Sequence, residues 1–473
     1  MSRWLALAVL STAMLMTILD GSIVTVALPA IQHDLGFGSA ALSWTVNAYL
    51  IPFGGLLLLS GRLGDLIGRK RVFLAGNAVF VAASLLAGLA GTPEMLVAAR
   101  FLQGVGSALA SSVVLGILVT LFTDPAERAK AIGVFSFTGA AGASIGQVLG
   151  GVLTDTLDWH WIFFINVPIG LATILLAIRA LPAERGAGRS AGADVAGAAL
   201  VTAGLMLGVY TVVGIEGHGA GQTLAYGGLS VALLAGFFVR QATARTPLMP
   251  LRVFRSRNVS GANAVQILAL SAMFSFQVLV ALYMQRVLGY GALATGLAML
   301  PAAVAIGGVS LFVSARLNNR YGTRAVLLTG LVLLVAAMGW LTRVPVEAVY
   351  VTDLLPVMLL IAGGGLVLPA LTNLGMSDAR DDDAGLASGL FNTTQQIGMA
   401  LGVAVASTLA AGRTESLLGE GAPGAVALTE GYRLAFTVSA GLLAVAFVVA
   451  LVVLRPATRS SARAPQEGRR VPS

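Results

Sequence analysis

Long apolar runs recur through this chain so densely that little is left between them. About fourteen stretches are candidates to cross a bilayer: 5–30, 43–62, 72–91, 94–121, 131–153, 161–181, 195–214, 224–240, 261–284, 294–315, 325–342, 350–376, 388–411 and 432–454. A helix needs about 20 such residues to span the hydrocarbon. Unpaired backbone cannot sit in lipid, and these runs are too long for barrel strands, so each is expected to be helical. Composition points the same way. Charged residues are 11% of the 473, and mean hydropathy is +0.88, whereas soluble domains carry roughly 25% charge. Too few polar groups exist to cover a water-facing surface. The expected fold class is an all-α polytopic membrane protein.

Charge placement then orients the spans, since basic residues favour the cytoplasmic loops. With the N-terminus inside, 24 of the 29 Lys and Arg fall in inner segments, four in outer loops, and Arg100 within a span. Both ends are therefore expected in the cytoplasm. The net charge of +8 is spread over short loops rather than along one face, which argues against nucleic acid as a partner. Cysteine is absent, so neither disulfides nor thiolate metal sites are available. Residues 1–30 loosely resemble a cleaved leader, but the apolar region runs on too long, and a retained first helix is expected.

A charged loop repeats half a chain apart. GRLGDLIGRKRVFLAG at 61–76 aligns with ARLNNRYGTRAVLLTG at 315–330, an offset of 254, and LGFG at 35–38 is echoed by LGYG at 288–291. Duplicated membrane halves are the plan of many transporters. The division expected is a six-helix bundle at 1–182, a linker with two extra spans at 183–256, a second six-helix bundle at 257–455, and a disordered basic tail at 456–473.

Few side chains within the spans can carry chemistry. Asp20 is the one acid deep inside a clear span, where an unpaired carboxylate costs several kcal/mol. Arg100 is the one basic residue within a span. At about 1.5 Å per residue they lie roughly 15 and 10 Å below the outer ends of helices 1 and 4, so a pair across a central cavity is feasible. Such a pair is either a static bridge or a protonatable switch. In the loop, Gly61, Arg62, Asp65, Gly68, Arg69 and Lys70 mix an acid with bases and glycines. Positive-inside anchoring is one reading; a cytoplasmic gate whose charges pair in one state and part in another is the other. Asp124 and Glu127 are candidate partners for Arg69. Gly142, Gly146, Gly150 and Gly151, together with Gly139, make a small-residue face on helix 5 that suits close packing and could also hinge. Gly363–Gly365 and the segment 385–402, with Asn392, Gln395 and Gln396, look similar. Acidic 381–383 reads as solvated. Asn47, Tyr49, Gln103, Gln266, Gln277 and Asn373 either line a cavity or join helices. His33, His160 and His218 form no metal-ligand spacing, and no metal site or nucleotide motif is found.

At these motifs the chain resembles the major facilitator superfamily, in particular its fourteen-helix drug–proton antiporter branch (the EmrB/QacA type). GRLGDLIGRK at 61–70 is similar to the superfamily's loop signature. LDGSIVTVALP at 19–29 and RFLQGVGSA at 100–108 resemble the branch's helix 1 and helix 4 motifs. WHWIFFINVPIG at 159–170 and YMQRVLGYGALATGLAMLP at 283–301 are also similar. The resemblance implies roles for Asp20 and Arg100 in proton transfer. Two departures stand out: Gln147 occupies the place of a proline in the helix 5 motif, and His160 that of a basic residue.

The expected function is proton-driven export of drugs or other small amphiphiles by alternating access. The same fold exporting a dedicated metabolite, antibiotic or amino acid, or working as a symporter, is the alternative; a membrane enzyme or sensor is a distant one. No cofactor is expected beyond the proton gradient, and the partners are a small-molecule substrate, protons and the bilayer. The expected setting is a bacterial cytoplasmic membrane, with a monomer as the functional unit.

Overall fold

The computed structural model describes residues 3–182, 194–214, 219–245, 247–248, 251, 254, 256–376 and 384–454. The basic tail at 456–473, the acidic 381–383, His218 and the first part of the linker, 183–193, lie outside the described residues. Fourteen long helices follow one another: α1 (Arg3–Leu35), α2 (Trp44–Ile67), α3 (Arg69–Gly88), α4 (Pro93–Leu121), α5 (Pro125–Thr156), α6 (Trp161–Ala180), α7 (Val195–Val213), α8 (Ala220–Thr243), α9 (Arg257–Arg286), α10 (Ala292–Tyr321), α11 (Thr323–Leu341), α12 (Tyr350–Gly375), α13 (Ala384–Gly419) and α14 (Gly424–Val453). No strand occurs among the described residues. Thirteen of the helices are long and apolar enough to cross a membrane; the remaining expected span, 131–153, lies on the 32-residue α5.

Local chemistry sets several helix ends. Thr92 accepts a hydrogen bond from the Met95 amide, and Pro93 follows at the first helical position, satisfying one orphan donor and wasting none. Ser256 caps α9 and Asp194 caps α7 in the same way. Between α2 and α3 the chain turns on a single residue, Gly68, at φ 102° and ψ 130°. Only glycine adopts that backbone readily.

The internal repeat is visible in this turn geometry. Gly322, 254 residues after Gly68, joins α10 to α11 at φ 86° and ψ 149°. Gly36 and Gly289, in the LGFG and LGYG segments, have φ of 71° and 72°. The residue two places beyond each turn glycine does the same work. Lys70 Nζ donates to the carbonyls of Ile178 and Leu181, both at 2.7 Å; Arg324 donates to the carbonyl of Leu451. Each cation thus ties its turn to the last turn of a neighbouring helix, where carbonyls lack intrahelical donors.

Packing divides along the same lines. α1 packs on α5, α4 on both α2 and α3, and α6 on α1 and α3; later, α9 packs on α13 and α14, and α11 on α12 and α14. Glycine permits the closest of these approaches. A Cβ on Gly76 would lie 2.7 Å from the Gly106 carbonyl, and one on Gly330 would lie 2.7 Å from that of Gly363. The two halves meet mainly along two seams, α2 against α13 and α5 against α10, with α1 also touching α9. α7 lies on one seam, touching both α2 and α13, while α8 packs on α7. Leu224, Val231 and Val239 on α8 remain exposed at 76, 67 and 64%, an apolar surface that suits lipid.

Candidate functional site

Among the described residues, the interior of the first six helices holds one buried ionic network. Asp20, mid-way along α1, is fully buried, and Arg100 of α4 is 1% exposed. Arg100 Nη1 donates to Asp20 Oδ2 at 2.5 Å and to Gln103 Oε1 at 2.8 Å, while its Nε donates to the Thr45 carbonyl at 2.9 Å. Asp20 Oδ1 accepts from Gln103 Nε2 at 3.0 Å and from Asn166 Nδ2 at 2.8 Å. Gln103 Nε2 also donates to Ser84 Oγ at 2.9 Å. The Tyr49 ring lies 4.5 Å from the guanidinium carbon, and Phe163 covers it from 5.8 Å. Five helices (α1, α2, α3, α4 and α6) therefore converge on one carboxylate.

Such a cluster is chemically unusual for its depth. Two buried charges pay heavily in lost hydration, and only close geometry with filled hydrogen bonds offsets this. Here the carboxylate has three donors and the guanidinium has a carboxylate, an amide oxygen and a backbone carbonyl. Adding a proton to Asp20 would turn an ion pair into an ordinary hydrogen bond and loosen the tie between α1 and α4.

The expected pairing of Asp20 with Arg100 is present. All its hydrogen-bond partners belong to the first six helices. Tyr49 likewise donates to Ser107 Oγ at 3.1 Å, within that bundle. Gln266 donates to the Phe391 carbonyl at 2.6 Å, joining α9 to α13. Asn47 is fully buried, and neither atom of its amide has a partner. Gln277 is half-buried and Asn373 exposed. Gly142, Gly146 and Gly150 face α1, where added Cβ atoms would meet Leu15, Ser22 and Ile23, whereas Gly151 faces α10 at Leu293. Gln147 lies on an unbroken α5, with its backbone against Gly296. His160 stacks on Trp159 at 3.8 Å, and its Nδ1 is 2.9 Å from Asp158.

The 61–71 loop binds inward to its own half. Arg69 Nη1 donates to the Gly116 carbonyl at 3.1 Å, and Nη2 lies 3.4 Å from Asp65. A Cβ on Gly64 would strike Val113, and one on Gly61 would come within 3.9 Å of Ser112, so both glycines seat the end of α2 on α4. Arg62 lies in the same helix end and has an interaction of its own. The expected partners of Arg69 are corrected: Glu127 pairs with Arg3 at 2.7 Å, and Asp124 accepts from the Glu127 amide at 2.9 Å, capping α5. Arg69 prefers Asp65 because the two are one turn apart, close enough to pair without ordering a second segment.

At the opposite end, polar contacts join the halves. Gln285 Nε2 donates to the Val26 carbonyl at 2.9 Å, and Arg286 donates to Gln32. Asp155, at the end of α5, accepts the first two amides of α10, from Ala292 at 3.2 Å and Leu293 at 2.7 Å. A carboxylate of one half thus caps a helix of the other, where orphan amides and the helix dipole both favour an anion. Beside these contacts lies a cavity of about 320 Å³ lined by Leu28, Val46, Leu282, Arg286, Glu415 and Tyr432, among others. The sequence reading missed Asn166, Ser84 and Asp155. A polar residue within the apolar run FFINVPIG was the available signal for Asn166; nothing local marks Asp155 as a cap for a helix 137 residues away.

Known proteins of similar sequence and shape were found. The chain is 36% identical over 467 residues to the puromycin resistance protein of Streptomyces alboniger, covering 97% of this chain and 93% of that one. It is 37% identical over 471 residues to the cephamycin export protein of Amycolatopsis lactamdurans, covering 98% and 94%. In shape it is similar to the nucleoside transporter NupG, with a TM-score of 0.68 at 12% identity, covering 95% of this chain and 100% of that one. A family model described as Major Facilitator Superfamily matches residues 10–403.

Proposed function

The chain belongs to the Major Facilitator Superfamily, and on that footing we propose that it is a proton-coupled exporter of antibiotic-like amphiphiles. It is a multi-pass membrane transporter rather than an enzyme. Its setting in this reading is a bacterial cytoplasmic membrane with both termini inside, which the 24-to-4 distribution of basic residues supports. The similarity to puromycin resistance and cephamycin export proteins supports outward movement of such compounds.

One observation carries the coupling: a fully buried carboxylate, paired with a fully buried arginine, in the helix bundle of a transporter. Intramembrane acids of this kind mark proton relays. In the proposed cycle, ionised Asp20 holds α1 against α4. Protonation loosens that tie, and the halves rock about the substrate to expose the opposite side. The Gly61–Lys70 loop, with Asp124 behind it, serves as the cytoplasmic gate. Asp155 and Arg286 hold the other end closed until the halves part.

The test uses inverted membrane vesicles, with the interior pH read by a dye while puromycin, a cephamycin and a lipophilic cation are added in turn. Compound-triggered proton release that vanishes in Asp20→Asn is the expected result. Full coupling in Asp20→Asn would refute the assignment of Asp20. A response to one compound alone would make the protein a dedicated exporter.

A further inference from the structure

Of the groups around Asp20, one is left incompletely satisfied. Asn166 is fully buried, its Nδ2 donates to Asp20 Oδ1, and its own Oδ1 has no hydrogen-bond partner. A buried amide oxygen without a donor costs free energy, so its retention beside a carboxylate calls for a reason. Gln103 offers a contrast. Its Oε1 accepts from Arg100 and its Nε2 donates to both Asp20 and Ser84, so both ends of the Gln103 amide are already engaged.

A carboxylate and a carboxylic acid make opposite demands. The ionised form only accepts; the protonated form has one O–H that must find an acceptor. An asparagine carries both a donor and an acceptor on a terminal torsion with broad, two-fold preference. We propose that Asn166 is a positioning residue that reads the protonation state of Asp20 by rotating its amide. With Asp20 ionised, Nδ2 donates to Oδ1. When a proton from the aqueous phase arrives on Oδ1, that bond breaks, the amide turns over, and Asn166 Oδ1 accepts the new O–H. One hydrogen bond is exchanged for another, so both charge states of Asp20 are satisfied in the same place. The inference rests on the proton-coupling reading above.

Other groups do not fill this role. Among the described residues, the charged and titratable groups facing the site are Arg100 of α4 and the Tyr49 phenol of α2, which donates to Ser107 and approaches the Thr17 carbonyl at 3.5 Å. α3 contributes Ser84, whose hydroxyl donates to the Phe80 carbonyl at 2.8 Å. α5 presents Gly142 and Gly146 to α1, and α6 adds Phe163 beside Asn166. Arginine cannot accept, and neither the Tyr49 nor the Ser84 hydroxyl is hydrogen-bonded to the Asp20 carboxylate, Tyr49 donating to Ser107 and Ser84 to Phe80.

The full-length protein in lipid vesicles provides the test, with two readouts. Infrared difference spectra between alkaline and acid pH report the carboxylic acid band of Asp20, identified by its loss in Asp20→Asn. Substrate-driven proton movement is followed as a function of pH. Asn166→Leu keeps the shape and removes both polar atoms. It is expected to shift the Asp20 band to the frequency of an acid whose O–H lacks an acceptor, and to reduce proton movement about tenfold or more. Asn166→Ser, whose hydroxyl both donates and accepts, is expected to keep the band in the hydrogen-bonded range and recover most of the movement. If Asp20→Asn abolishes band and movement while Asn166→Leu leaves the band and the pH profile unchanged, the role of Asn166 is refuted and the coupling reading stands. If Asp20→Asn itself changes neither, the coupling reading falls, and this inference with it.

Discussion

Arg100 shows how much one side chain can organise. Its planar fork reaches a carboxylate, an amide and the Thr45 carbonyl at once, and an ammonium cannot reproduce that geometry. Arg100→Lys is therefore expected to keep the charge yet lower stability by about 1–3 kcal/mol, since the buried Thr45 carbonyl loses its side-chain donor. Thermal unfolding of the solubilised protein would show it, and an unchanged melting temperature would contradict it. The glycine one turn along α4 is as constrained. A Cβ on Gly104 would press on the Tyr49 carbonyl and sit 2.7 Å from Pro52, whereas one on Gly91 would meet open space. Gly104→Ala should cost roughly 1–3 kcal/mol through overpacking, and Gly91→Ala should leave the melting temperature close to the parent's.

Among the elements, helix ends do much of the joining. Asp155 caps α10 from the other half of the molecule, so the cap exists only while that end is closed. Removing an N-cap costs about 0.5–2 kcal/mol, and here the loss falls on the closed state alone. Asp155→Ala should thus raise the population open at that end several-fold. The native chain has no cysteine, so a single Leu282→Cys in the cavity wall gives a clean readout. Faster labelling by a water-soluble maleimide in Asp155→Ala is expected, and Asp155→Asn, which keeps an acceptor, should lie between. A second junction ties α7 to α8. Burial pushes the Asp194 carboxyl up, but the Arg240 guanidinium, the Gly197 amide and the Gln241 side chain outweigh it and hold it below its ordinary value of 3.8. A depressed carboxyl stabilises the fold above its unfolded value and loses that contribution as pH falls through the folded one. The α7–α8 pair should therefore be unaffected between neutral pH and about pH 5 and loosen only below the ordinary carboxylate range. Pulsed hydrogen exchange of residues 195–243 across that range would check it.

At the scale of the whole molecule, duplication explains what is shared and divergence explains what is not. The turn glycines Gly68 and Gly322, and the cations Lys70 and Arg324 beyond them, keep matching backbone and matching carbonyl partners. Asp65 and Arg69 correspond to Asn319 and Thr323, so the acid–base pair survives in the first half only. Closing the helix turn is needed twice, whereas the charged pair is retained once. Of the two extra helices, α7 lies over the α2–α13 seam.

Much of this was legible beforehand because lipid imposes strict terms. Apolar length and the 254-residue repeat each follow from one-dimensional order, so the all-helical, membrane-spanning form and the matching turns at Gly68 and Gly322 could be read from the residues alone. Asp20 and Arg100 stood out for the same reason: a charge within a span is costly wherever it points. What surrounds that charge was another matter. That Asn166 and Ser84 complete its shell, that Arg69 turns to Asp65 and Gly116 rather than Glu127, and that Asp155 caps a helix across the molecule all depend on rotation and packing of helices far apart in sequence. Hydropathy does not encode which face of a helix meets which neighbour. Close packing of the assembled bundle fixes those choices, because a buried polar atom must find its partner among whatever side chains the neighbouring helices bring within reach.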